Sequence, residues 1–188
     1  HNVVTNGVSK VVFPYLGVDG TPTKSIRYRT SLDGRDKFRW EPGSQAILYG
    51  MQKLPIIFSD GLYLLVEGES DTLTAWMYEL PALGIPGKGT WKKEYAELLQ
   101  GLQGFTWIEP DARELAIRIA EDIPDMRFIP APLPIKDINQ AHVLGHDVLA
   151  MIDKAKEQSL SIQDFLKVTS SEERVSIGGI LDEIEGLL

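Results

Sequence analysis

The chain contains no cysteine. That excludes disulfides, cysteine-ligated zinc and thiol nucleophiles, and with them several enzyme classes. Histidine is scarce, at three residues. His142 and His146 have the spacing of two ligands on a helix, but Val143-Leu144-Gly145 between them lacks the glutamate a zinc protease carries after its first histidine, so both read as surface or helix-end residues. Apolar runs are short, and none approaches the roughly 20 residues of a membrane span. The polar opening His1-Asn2-Val3-Val4-Thr5-Asn6 is neither a signal nor a transit peptide, so no membrane partner is expected and a cytoplasmic location is the default. No dinucleotide fingerprint and no serine, histidine and acid constellation has local support. Positive charge is in deficit, with a formal net charge of -8, a balance that taken alone disfavours nucleic acid.

What is present suits one solid core and a small second subdomain, since 43% of the 188 residues are hydrophobic and 9% aromatic. From about Val11 to Gly50 turn residues are dense. Val11-Val12-Phe13-Pro14-Tyr15, a turn at Asp19-Gly20, and Ala46-Ile47-Leu48-Tyr49-Gly50 suggest a β-rich unit. From Leu62 the pattern changes. Strands are expected at Tyr63–Val66, Ala82–Ile85, Phe105–Ile108 and Arg127–Ile129. Between them run helical stripes: Leu73, Trp76, Met77 and Leu80; then Tyr95, Leu98, Leu99 and Leu102; then Leu115, Ala116, Ile119 and Ile123. This alternation predicts an α/β fold, a parallel sheet flanked by helices. Leu144, Val148, Ile152 and Ala155 form a further stripe, and Ile177, Ile180, Leu181, Ile184 and Leu187 a last one, with Val168–Glu173 as linker or cap between them. The expected division is a β-rich basic subdomain over 1–58, an α/β domain over 59–158 and a helical tail or linker over 159–188.

One segment runs against the acidic balance. From Lys24 to Trp40 six cations (Lys24, Arg27, Arg29, Arg35, Lys37, Arg39) face two acids (Asp33, Asp36). Alternation through Ile26, Arg27, Tyr28, Arg29 and Thr30, then Phe38, Arg39 and Trp40, predicts a hairpin turning at Asp33-Gly34, with arginines on one face and aromatics on the other. Such a face is either plainly solvated or a surface that tracks phosphates.

The acids gather at strand ends. Leu64-Leu65-Val66-Glu67-Gly68-Glu69-Ser70-Asp71 ends an apolar run in carboxylates, and so does Phe105-Thr106-Trp107-Ile108-Glu109-Pro110-Asp111. In an open α/β sheet the carboxyl ends of strands face one crevice, a place for divalent metal and phosphate. Asp71 suits either capping of the helix that follows or a place in the crevice. If the strand continues, Glu109 and Asp111 project to one side, and such a pair calls for a hard cation; otherwise they are solvated loop acids. Leu83-Gly84-Ile85-Pro86-Gly87-Lys88-Gly89-Thr90 allows close backbone approach to phosphate but is not a P-loop. Lys136-Asp137 follows the fourth strand and reads on its own as a surface salt bridge.

In order, Val66-Glu67-Gly68-Glu69-Ser70-Asp71, Ala82-Leu83-Gly84-Ile85-Pro86-Gly87, Glu109-Pro110-Asp111 and Lys136-Asp137-Ile138-Asn139 resemble the Toprim domain of primases, of the phage and plasmid primase or primase-helicase kind. Val12–Tyr15, Arg27–Arg29, Lys37–Trp40 and Leu48–Gly50 resemble the basic subdomain that precedes it. The resemblance covers roughly residues 11–155. It implies a catalytic set of Glu67, Asp71, Glu109 and Asp111, and Mg2+ or Mn2+ held by Glu67, Glu109, Asp111 and Asp137. It further implies that Arg27, Arg29, Lys37, Arg39, Lys88 and Lys136 bind nucleotide or DNA. The implied activity is nucleotidyl transfer making short RNA primers on single-stranded DNA from nucleoside triphosphates, beside a replicative helicase in trans or in the same polypeptide, in a bacterial or phage-infected cell. Two departures stand out: Glu109 replaces the first of two aspartates, and Arg113-Glu114 replaces a small pair. A Toprim-type metal-dependent nuclease and a non-catalytic single-strand-binding module are the alternatives.

Overall fold

The computed structural model describes residues 2–5, 8–31 and 37–169. Four parallel strands form the main sheet: β5 (Leu62–Glu67), β6 (Ala82–Ile85), β7 (Gln103–Ile108) and β8 (Arg127–Pro130), in the order β6-β5-β7-β8. Each apolar run expected as a strand lies within one of them, and the runs read as continuous apolar segments because helices cover both faces. One face carries Tyr63, Leu65, Leu83, Ile108 and Phe128 into a core completed by α1 (Leu54–Asp60), α3 (Lys93–Leu98) and α4 (Arg113–Asp122). The other packs Leu64, Val66, Phe105, Trp107 and Ile129 against α2 (Gly68–Met77), α5 (Ile138–Val143) and α6 (Val148–Glu157).

Two helical stripes differ from expectation. In α2, Leu73 and Met77 are exposed, while Glu69, Asp71, Thr72 and Ala75 are buried. The helix turns this polar face inward because Thr72 and Thr74 satisfy their hydroxyls on the carbonyls of Gly68 and Ser70, and the two acids find partners described below. Leu144 stands outside the helix that holds Val148, Ile152 and Ala155, since Asp147 caps that helix at Val148. Residues 159–169, within the segment expected as a helical tail or linker, bridge Leu160 to Phe128 and then form α7 (Ile162–Val168), whose Phe165 is 1% exposed in the core. The apolar stripe from Ile177 to Leu187 lies outside the described residues. Among the described residues no helix is long and apolar enough to cross a membrane.

The second sheet is antiparallel and runs β1 (Asn2–Thr5), β2 (Val8–Leu16), β3 (Pro22–Arg29) and β4 (Phe38–Trp40) in that order. The turn between β2 and β3 forms where Asp19 accepts from the backbone and hydroxyl of Thr21. The expected pairing of β3 with β4 is present, although Asp33-Gly34 lies outside the described residues. The faces differ from expectation. Arg27 pairs with Trp40 and Arg29 with Phe38, so arginines and aromatics share one face while Tyr28 and Arg39 share the other. Ala46–Gly50 is not a strand; Tyr49 alone bridges to Gly84, with N–H to O distances of 2.8 and 2.9 Å.

Candidate metal centre

The parallel sheet reverses its direction of growth between β5 and β7, because β6 is added on one side of β5 and β7 on the other. A crevice opens at such a switch point, outside the carboxyl ends of the strands. Glu67 closes β5, and Glu109 follows β7 directly. Gly68 takes φ 81°, a left-handed turn that lets α2 begin at once beside Glu67. Gly84 permits β6 to press against this turn, since a Cβ there would lie 2.3 Å from the Thr72 hydroxyl and 2.7 Å from the Gly68 carbonyl.

Asp71 does not cap its own helix, which already starts at Gly68. Its carboxylate is buried in the first turn and accepts instead from the Asn139 backbone N–H, at 2.8 Å. Asp137 caps α5 by accepting from Gln140 N–H at 2.7 Å. Glu109 reaches between them on its longer arm, its side chain 7% exposed. One carboxylate oxygen from each of Asp71, Glu109 and Asp137 lies within 4.8 Å of the others. An all-oxygen set of this kind fits a hard divalent ion of the Mg2+ or Mn2+ type.

Electrostatics agree with that fit. Burial, then the charge of Asp137, pushes the Asp71 carboxyl up to about 8 despite the Asn139 N–H. Burial, then the charge of Glu109, pushes Glu67 up to about 7, with Lys88 and Lys136 opposing. Glu67 also keeps a buried Oε2 that receives no hydrogen bond. Carboxylates crowded so closely favour a cation among them.

The other expected ligand is placed differently. The chain turns at Pro110-Asp111, with Ala112 N–H donating to the Glu109 carbonyl, so β7 does not continue and Asp111 does not join Asp71, Glu109 and Asp137 in their converging set. Its side chain is 72% exposed and bonds the Lys88 ammonium, which holds its carboxyl below the usual range. Lys88, expected to bind nucleotide or DNA, stands among acids: its Nζ lies 3.5 Å from Glu109 Oε2 and 3.8 Å from Glu67 Oε2. Lys136 Nζ lies 3.1 Å from Glu109. For both lysines burial works against the charge, but these carboxylates outweigh it and raise the pKa.

Across a cleft of about 230 Å³, Arg29, Lys37 and Phe38 face Glu67, Asp71, Glu109, Lys136 and Asp137. Arg29 Nη1 approaches the Ser70 hydroxyl at 3.4 Å and its guanidinium lies 5.5 Å from the Phe38 ring centre. Arg27 lines the same cleft, with its guanidinium committed to Glu69: it donates to both oxygens, at 3.1 and 3.2 Å, and lies over Phe38 and Trp40. Arg39 projects from the opposite face of the hairpin. Glu69, for which the motif alone suggests no role, is fully buried and also accepts from the Tyr15 hydroxyl at 2.6 Å. With the aromatic cluster of Phe13, Tyr15, Tyr49 and Trp76 it joins the two sheets. Asn139, within the Lys136-Asp137 motif, orients Asp71 and donates its side-chain amide to Thr74.

No family model matches the chain. The Gene 57 protein of Mycobacterium phage D29 is 32% identical over 111 residues, which are 57% of this chain and 72% of that protein. Among solved structures, the RNA polymerase domain of Mycobacterium tuberculosis primase DnaG, determined with a DNA oligomer carrying a 6-nucleotide overhang, superposes with a TM-score of 0.66. It is 15% identical, and the match covers 96% of this chain and 65% of that one. Bacteriophage T7 gp4 primase domains, bound to an RNA/DNA hybrid and dTTP beside the lagging-strand polymerase, give a TM-score of 0.64 at 23% identity, over 80% of this chain and 79% of that one. The fold is that of the primase catalytic core, and the chain spans about two thirds of the DnaG domain it matches.

Proposed function

Because the chain belongs to the family of the Gene 57 protein of Mycobacterium phage D29 and carries the primase catalytic-core fold, we propose that it is the catalytic core of a phage-type DNA primase. It joins nucleoside triphosphates into short RNA primers on single-stranded DNA, in the cytoplasm of a bacterial or phage-infected cell, with a replicative helicase as partner. The observation that carries this reading is the acid trio at the switch point facing a basic, aromatic strand pair across one cleft.

Asp71, Glu109 and Asp137 would hold Mg2+ or Mn2+. Such an ion supplies charge for phosphate oxygens and acidifies a hydroxyl bound to it. The remaining work falls to the side chains. Glu67 lines the cleft, where its carboxylate can accept the proton of the attacking 3′-hydroxyl. Lys136 neutralises phosphate oxygens from the rim. Arg29 and Lys37 follow the template or triphosphate backbone, and Phe38 offers a ring on which a base can stack. Asn139 and the cap of α5 keep Asp71 and Asp137 aimed at one point.

The test is primer synthesis on single-stranded DNA with Mg2+ or Mn2+, using the chain alone and its parent protein. Labelled primers are expected, and Asp137→Asn lowers their yield at least about 100-fold, the scale of losing a positioned charge in an active site. Absence of primers on every template overturns the proposal. Cutting of DNA without added nucleotides would point to a nuclease, and binding without metal-dependent chemistry to a non-catalytic module.

A further inference from the structure

The acid edge contains two sets of carboxylates that share Glu109, and they are built for different cations. Asp71, Glu109 and Asp137 converge within 4.8 Å and, among the described residues, are the group of acids that does so. Glu67, Glu109 and Asp111 instead surround the ammonium of Lys88, at 3.8 and 3.5 Å for the first two and in direct contact with the third. An ammonium has three N–H donors, and here it meets three acids. Its position is fixed by the backbone. Lys88 opens a short 3-10 turn over Lys88–Thr90 in which the Thr90 N–H and hydroxyl both close on the Gly87 carbonyl, and Arg118 donates to the Lys88 carbonyl. The side chain is 29% exposed, so a good part of its hydration has been replaced by these carboxylates.

We infer that Lys88 serves as a built-in cation in the place of a second divalent ion, so that the centre loads one metal ion, at Asp71, Glu109 and Asp137. The inference rests on the reading of this edge as a metal centre. A second ion beside Glu67 and Asp111 would have to displace a tethered charge held by three partners, and would do so against the repulsion of like charge. Lys88 is thus a positioning residue. It holds Glu67 and Glu109 in place without ligating the ion, and it sets how many ions the site takes.

The experiment counts Mn2+ by paramagnetic resonance titration of the full chain, without nucleotide or DNA. Wild type is expected to bind one ion and Lys88→Met two, with affinity at the first site at least about tenfold higher once the neighbouring charge is gone. Lys88→Arg, which keeps the charge, stays at one. Asp71→Asn in the Lys88→Met background removes one of the two. Two ions in wild type, or one in Lys88→Met, overturns the inference and leaves the metal centre standing. No ion in wild type overturns both. Primer synthesis is scored separately and does not enter the count.

Discussion

Replacing Glu69 with leucine probes the joint between the two sheets. The carboxylate is fully buried and serves three donations, two from Arg27 and one from Tyr15, itself 0% exposed. Arg27 is 13% exposed at its side chain. Leucine preserves apolar volume but leaves a guanidinium without a counter-charge and a buried hydroxyl without its acceptor. Breaking one side of a buried ion pair costs about 3–5 kcal/mol, and an orphaned hydroxyl adds about 1–3 kcal/mol. Since Arg27 keeps its contacts over Phe38 and Trp40, the lower part of that range, about 4 kcal/mol, is expected. That loss corresponds to roughly 8–16 °C in melting temperature for a domain of this size. Urea unfolding of Glu69→Leu, Arg27→Met and the double variant supplies a cycle, and the double variant should cost less than the two single variants together by at least about 2–3 kcal/mol. A single-variant cost under about 1 kcal/mol, or a coupling energy near zero, refutes the view that this pair fastens the basic sheet to the acid edge.

Other outcomes follow from the same geometry. In metal-free buffer the folded chain holds protons on Asp71 and Glu67 up to about pH 8 and 7, whereas the unfolded chain releases them near pH 4. Stability is therefore full below the ordinary carboxylate range and falls as pH rises toward 8, by up to about 1.4 kcal/mol per unit for each group. Thermal melts with chelator check this, and a melting temperature rising from pH 5 to pH 8 contradicts it. Added Mn2+ should stabilise more at pH 8 than at pH 6, because the ion competes with those protons. Glu109→Asp shortens the arm that spans Asp71 and Asp137 and is expected to weaken Mn2+ binding about 10-fold or more in calorimetry; unchanged affinity would mean the extra methylene is not needed. Arg29→Gln should weaken single-strand binding and reduce the salt slope by about 0.7, the contribution of one phosphate contact on a single strand, whereas the same change at Arg39, on the far face of the hairpin, leaves the slope unaltered.

Much of the fold is legible in the linear pattern, for a physical reason. Parallel strands covered on both faces are continuous apolar runs, so Leu64–Val66 and Phe105–Ile108 declare themselves, and the acids that end them mark the carboxyl edge where a switch point gathers side chains. The helix after Glu67 is less legible. Its apolar stripe of Leu73 and Met77 points to solvent, while Glu69 and Asp71 go inward, because their partners Tyr15, Arg27 and Asn139 lie 42 to 68 residues away. No local period can register partners at that distance.

The basic hairpin divides in the same manner. Alternation through Arg27, Tyr28 and Arg29 determines that the two arginines share a face of β3. Which residues of β4 lie beside them depends on register, and register is set by pairing across the turn. It brings Phe38 and Trp40 alongside the arginines and sends Arg39 to the other side. At the acid edge, sequence order assembles Glu67, Asp71, Glu109, Asp111 and Asp137 as one group. Only the tertiary structure sorts them, because a turn at Pro110-Asp111 and a lysine pinned by its own 3-10 turn decide which carboxylates converge within 4.8 Å of one another and which close around an ammonium.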